Sequence, residues 1–67
     1  MLKIELERED DGRWIGEVPA IPGVLVYGGS RDEARDKATA LALRVLADRI
    51  EHHEPVPAEA RELFAAA

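Results

Sequence analysis

Apolar and charged residues alternate from the start of the chain. Leu2, Ile4 and Leu6 fall on one side, and Lys3, Glu5 and Glu7 on the other. A period of two marks a half-buried antiparallel strand, so residues 2–8 are predicted as the first strand. Glu9, Asp10, Asp11 and Gly12 follow, and Asp-Gly is a strong hairpin-turn signal. Residues 13–18 form the second predicted strand. Trp14, Gly16 and Val18 share one side, and Arg13, Ile15 and Glu17 the other. A glycine in mid-strand marks a close approach by another element, so Gly16 is expected beneath a helix. Trp14, the single tryptophan, is expected to pack in the core or an interface because of its large area.

Pro19, Pro22 and Gly23 then make a rigid turn. Proline fixes φ and withholds an N–H, so the second strand must stop by Val18. Residues 24–27 are the third predicted strand, apolar on both faces. One face is expected to meet a helix. The other, carrying Val24 and Val26, would face water in a single protomer. Such faces are usually covered, which makes Val24 and Val26 candidates for a subunit interface.

At Gly28 the pattern changes to helical. Gly28 and Gly29 permit backbone angles closed to other residues. Ser30 can cap a helix with its hydroxyl, and Glu33 can reach back to the Ser30 amide. The helix is predicted from residue 31 to 52 or 53. At about 100° per residue, Ala34, Ala38, Leu41, Ala42, Val45 and Arg49 form one stripe. Leu43, Leu46 and Ile50 form a second. A small sheet covers only one stripe, so the second is expected to meet either the C-terminal segment or another subunit. Pro55-Val56-Pro57 ends the helix. Residues 58–67 are predicted as a short helix whose Ala60, Leu63 and Phe64 lie on the second stripe. The expected fold is therefore α+β. A three-stranded antiparallel sheet in the order β-β-β-α carries one long helix, with residues 1–57 as the domain and 58–67 as a short helical tail.

Composition adds two constraints. A chain of 67 residues buries a modest fraction of its surface and is marginal alone. Without cysteine it has no disulfide and no thiolate metal site. Oligomerisation is the remaining stabiliser, so a homo-oligomer, a dimer or tetramer, is expected. The N-terminus has no signal-peptide pattern, and no apolar run approaches the roughly 20 residues of a membrane span. The expected location is the cytoplasm, with no membrane partner. The net charge is −5, from 14 acidic and 9 basic residues. Phosphate binding needs a basic surface, so nucleic acid is not the expected principal partner. An acidic protein suits a basic protein partner, although the same charge also serves solubility.

The search for chemistry returns little. Ser30 is the only serine and is used as a cap, while the two histidines sit ~30 Å away along the same helix. His52 and His53 are adjacent, and a metal pair on a helix wants a spacing of three or four. The run Glu7, Glu9, Asp10, Asp11 lacks the spacing and the closing glutamate of a calcium loop. Gly28-Gly29-Ser30 has no phosphate-loop pattern, and Asp32 and Glu33 would repel an anion. No catalytic residue, cofactor or metal is expected, and the chain does not read as an enzyme.

An ordered set of short motifs remains. It comprises Asp11-Gly12-Arg13-Trp14, Glu17-Val18-Pro19, Ile21-Pro22-Gly23-Val24, Gly28-Gly29-Ser30, Asp32-Glu33-Ala34 and Pro55-Val56-Pro57. In this order and spacing the chain resembles the HicB-like antitoxin family over residues 2–57. The resemblance implies a partial ribonuclease H-like fold without catalytic carboxylates. It also implies neutralisation of a HicA-type toxin, a small basic protein that cleaves messenger RNA, by covering its RNA surface. Full antitoxins of that family usually add a fourth strand and a C-terminal DNA-binding module. Here residues 58–67 read as helical, so a short stand-alone member without direct DNA binding is expected.

Two functional readings follow. In the first, Glu5, Glu7, Asp10, Asp11 and Glu17 form an acidic rim that steers a basic toxin. In the second, the chain is a solitary homo-oligomer with a structural or regulatory role, assembled through Val24, Val26, Leu43, Leu46 and Ile50.

Overall fold

The computed structural model describes residues 1–66. Three strands, β1 (Glu5–Arg8), β2 (Trp14–Glu17) and β3 (Leu25–Gly28), precede a long helix α1 (Arg31–Glu51) and one helical turn α2 (Ala58–Arg61). The sheet is antiparallel throughout, in the order β1-β2-β3. The α+β class and the β-β-β-α order are as the sequence predicts. Among the described residues no helix is long and apolar enough to cross a membrane.

β1 is shorter than its alternating pattern. Leu2 and Ile4 still pack against the core, but the ladder begins at Glu5, opposite Glu17. Continuing that register would set Lys3 opposite Pro19, which has no N–H to donate. The β1–β2 turn closes with the Glu9 N–H donating to the Arg13 carbonyl at 2.7 Å and the Gly12 N–H to the Glu9 carbonyl at 3.0 Å. Gly12 has φ +91° there, a conformation that favours glycine.

The connection from β2 to β3 supplies much of the core. Val18 donates to Val24 at 3.1 Å, Ile21 to Val18 at 3.0 Å and Val24 to Ile21 at 3.2 Å. These bonds fold the proline-rich turn inward, so Ile21 is fully buried and Val18 and Val24 nearly so. Gly23, at φ +93°, turns the chain into β3. Val18, Ile21 and Val24 meet Ala42 and Leu46 of α1 and Ala60 of α2 in a single cluster.

The start of α1 lies against the sheet with almost no space between them. A Cβ on Gly16 would come within 2.7 Å of the Ala34 carbonyl oxygen, and one on Gly28 within 2.5 Å of the Ala34 nitrogen. Ala34 and Ala38 are fully buried. Gly16 therefore sits beneath the helix, as expected. Gly28 is needed for the same reason and not for its backbone angles, because the positive φ values among the glycines are at Gly12 and Gly23.

That contact sets the parity of β3 and corrects the predicted interface. Residues of the same parity as Gly28 face the helix. Val24 is buried, Val26 is half-buried, and Leu25 and Tyr27 point outward instead. Leu46 is likewise a core residue, 5 % exposed, because Ala60 and Val18 close over it. Leu43 and Ile50 of the same stripe remain exposed. The predicted 58–67 helix is also corrected. It contracts to Ala58–Arg61, with Ala60 buried and Leu63 and Phe64 exposed, and Ala67 lies outside the described residues. Trp14 is half-buried on the helix side, opposite Arg8 and Gly28.

Candidate partner-binding face

The sheet has a helix on one side only. Its other face carries the opposite parity of each strand, and the register sets the rows. Glu7, Ile15 and Tyr27 lie side by side in one row, and Glu5, Glu17 and Leu25 in the next. Leu25 is 47 % exposed and Tyr27 43 %, while Ile15, beside Tyr27 on β2, is half-buried. The result is a small apolar patch toward the β3 edge, with three carboxylates toward the β1 edge.

The charges on this face are arranged unevenly. Glu5 sits directly opposite Glu17, and like charges in that relation repel. Lys3 offers Glu5 only a long, exposed contact at 3.9 Å. At the other end Arg13 places its guanidinium over the Tyr27 ring, 4.6 Å from the centroid, while its Nε reaches Asp11 Oδ2 at 2.7 Å. The Arg13 N–H also donates to Asp11 Oδ1 at 3.0 Å. This backbone bond, helped by the guanidinium, holds the Asp11 carboxyl below its ordinary value of 3.8.

The face thus gathers Glu5, Glu7 and Glu17 of the predicted rim. Asp10 and Asp11 lie apart from it, on the hairpin turn with Glu9, and the charge of Asp11 is already matched by Arg13. Among the described residues no three His, Asp or Glu side chains gather as a metal site requires. Among the described residues no buried side-chain polar atom lacks a hydrogen-bond partner.

No family model, curated protein or solved structure matches this chain. Leu25 and Tyr27 are the members that the sequence pattern missed. Their signal was the shared parity of Gly16 and Gly28. Two glycines beneath one helix fix which side of each strand is inner, and so place Leu25 and Tyr27 with Ile15 outside.

The candidate chemistry along α1 resolves into local structure. Ser30 Oγ accepts from the Glu33 N–H at 3.1 Å, and Glu33 Oε1 accepts from the Gly29 N–H at 3.1 Å. The cap thus reaches back to Gly29, one residue earlier than expected. Gly29 first, and then Lys37 at 3.3 Å, lower the Glu33 carboxyl from its ordinary 4.5. At the far end His52 Nδ1 lies 2.7 Å from the Asp48 carbonyl oxygen and 3.3 Å from Asp48 Oδ1. His53 takes the left-handed position at φ 57°. Glu54 then donates to Arg49 and His53 to Ile50, which closes the helix.

Proposed function

We propose that this chain is a non-enzymatic, antitoxin-like protein of the cytoplasm that binds and occludes a small basic partner, a HicA-type messenger-RNA-cleaving toxin. The observation that carries the reading is the open sheet face, with Ile15, Leu25 and Tyr27 set among Glu5, Glu7 and Glu17. An apolar patch with carboxylates along one side is complementary to a protein whose own surface is built to hold RNA. The patch supplies affinity, and the carboxylates supply steering and discrimination. The motif order that resembles the HicB-like family supports the same partner, with the sheet and α1 as a truncated ribonuclease H-like unit. Direct DNA binding has no part in this reading.

Co-expression with the product of the neighbouring reading frame is the test, read by copurification and by cell growth. The expected result is a complex and relief of a growth defect. The triple variant Glu5→Lys, Glu7→Lys, Glu17→Lys should then slow association by about tenfold or more at low salt, with less effect at high salt. Absence of both complex and toxicity would overturn the toxin reading. An unchanged association rate would remove this face from it.

A second reading, the solitary homo-oligomer, draws on a different surface. Leu43 and Ile50 on α1, and Leu63 and Phe64 after α2, stand exposed around one concavity.

A further inference from the structure

The protomer is extended for its mass. Its accessible surface is 5024 Å², against about 4,200 Å² for a compact monomer of 7.4 kDa. Its radius of gyration is 13.1 Å, against about 11 Å for a compact chain of this length. The surplus surface is similar in size to the ~800 Å² that each partner gives to a standard interface.

The exposed apolar side chains of α1 have a regular pattern. Leu43, Ala47 and Ile50 are spaced by four and three residues, so they line one seam along α1. Leu63 and Phe64 border the same concavity on one flank. Phe64 is 86 % exposed. The opposite flank is charged. Arg44 and Glu51 each follow a seam residue by one position, and they share the seven-residue spacing of Leu43 and Ile50. Seven residues span about 10.5 Å, too far for Arg44 and Glu51 to pair within one helix. Neither is among the ion pairs of the described residues.

We infer that α1 pairs antiparallel with α1 of a second copy of this chain, about a two-fold axis passing near Ala47. Such an axis places Leu43 against Ile50 of the second copy, and Ile50 against its Leu43. The rotation also maps each flank onto the same flank of the partner, so Arg44 meets Glu51 of the second copy, twice. One substitution pattern thus satisfies both the apolar seam and its charged border. Ala47, at the crossing, has the small side chain that lets two helices approach closely. Leu63 and Phe64 close the seam on the other flank, where Arg61 also lines the concavity. The interface lies on the helix side of each protomer and leaves the sheet face open. It is independent of the proposed toxin contact.

The test is a charge exchange, read by sedimentation equilibrium of the full chain at low and high salt. Wild type should dimerise reversibly. Arg44→Glu alone and Glu51→Arg alone should each weaken the dimer by about tenfold at low salt, because both symmetry-related pairs become repulsive. The double variant Arg44→Glu/Glu51→Arg should recover most of the affinity. Ala47→Glu should give a monomer. Both charged positions are exposed, and circular dichroism checks that each variant is folded. A chain that is monomeric at all concentrations would overturn the inference. So would a dimer indifferent to the single reversals, or a double variant no tighter than either single.

Discussion

Gly28 and Gly29 are neighbours of the same type with different reasons for being glycine. A Cβ on Gly28 would meet the backbone of Ala34 at 2.5 Å, whereas one on Gly29 would meet nothing within 4 Å. Backbone atoms cannot rotate aside as the end of a side chain can, so the helix or the strand would have to shift. Gly28→Ala should therefore cost about 1–3 kcal/mol or more in urea unfolding, as overpacking does. Gly29→Ala should stay within about 0.5 kcal/mol of wild type. Equal losses at the two positions would mean that the pair serves backbone freedom and not helix approach. The sequence shows the pair but cannot rank its members. Whether a Cβ fits depends on Ala34, which the chain brings back only by starting a helix over the sheet.

At the scale of the element, α1 is defined by its ends. Ser30 and Glu33 close the first turn with two reciprocal bonds, and the bond from Gly29 to Glu33 is made by the ionised carboxylate. Because the folded Glu33 carboxyl is lowered from 4.5, this contribution is fully present above pH 4.5. It is lost as pH falls through the lowered folded value. Asp11 behaves in the same way below 3.8. Glu33→Gln keeps a hydrogen-bond acceptor but removes the titration. Its melting temperature should fall less steeply than that of wild type below pH 4.5, with the two curves parallel at neutral pH. Parallel curves throughout would show that the Glu33 bond does not depend on charge. This cap was legible in the Ser-x-x-Glu spacing, because capping is local.

At the scale of the whole molecule, α2 contributes to the core as well as following it. Ala60 is 5 % exposed and shares a cluster with Val18, Ile21, Val24, Ala42 and Leu46, and Val56 packs against it. Ending the chain after Pro57 should open Leu46 to water at a cost of about 1–2 kcal/mol, a fall in Tm of order 5–10 °C. A melting curve of the shortened protein that matches the full chain would show that α2 contributes nothing to the core. The two sides of the molecule are otherwise unlike. The sheet side offers a small apolar patch with carboxylates along one side, and the helix side an apolar seam bordered by Arg44 and Glu51. A basic partner and a second copy of the chain therefore need not compete.

The sequence by itself determined what depends on near neighbours. This includes the alternation of β1 and β2, the stop imposed by Pro19, the cap at Ser30, the helix through Glu51 and the β-β-β-α order. Periodicity, proline geometry and capping are all decided within a few residues. Only the tertiary structure decided which side of β3 is inner and which stripe of α1 is spent. Val24 and Leu46 looked available to another subunit, but the β2–β3 turn and α2 fold over them. Leu25 and Tyr27 looked like core, but the approach of Ala34 to Gly16 and Gly28 turns them out. The side chains of a short strand that is apolar on both faces carry no parity signal, and Gly28 carries one only once a helix is known to lie on it. The strand's orientation is set by the element that packs on it, and here that element arrives later in the chain.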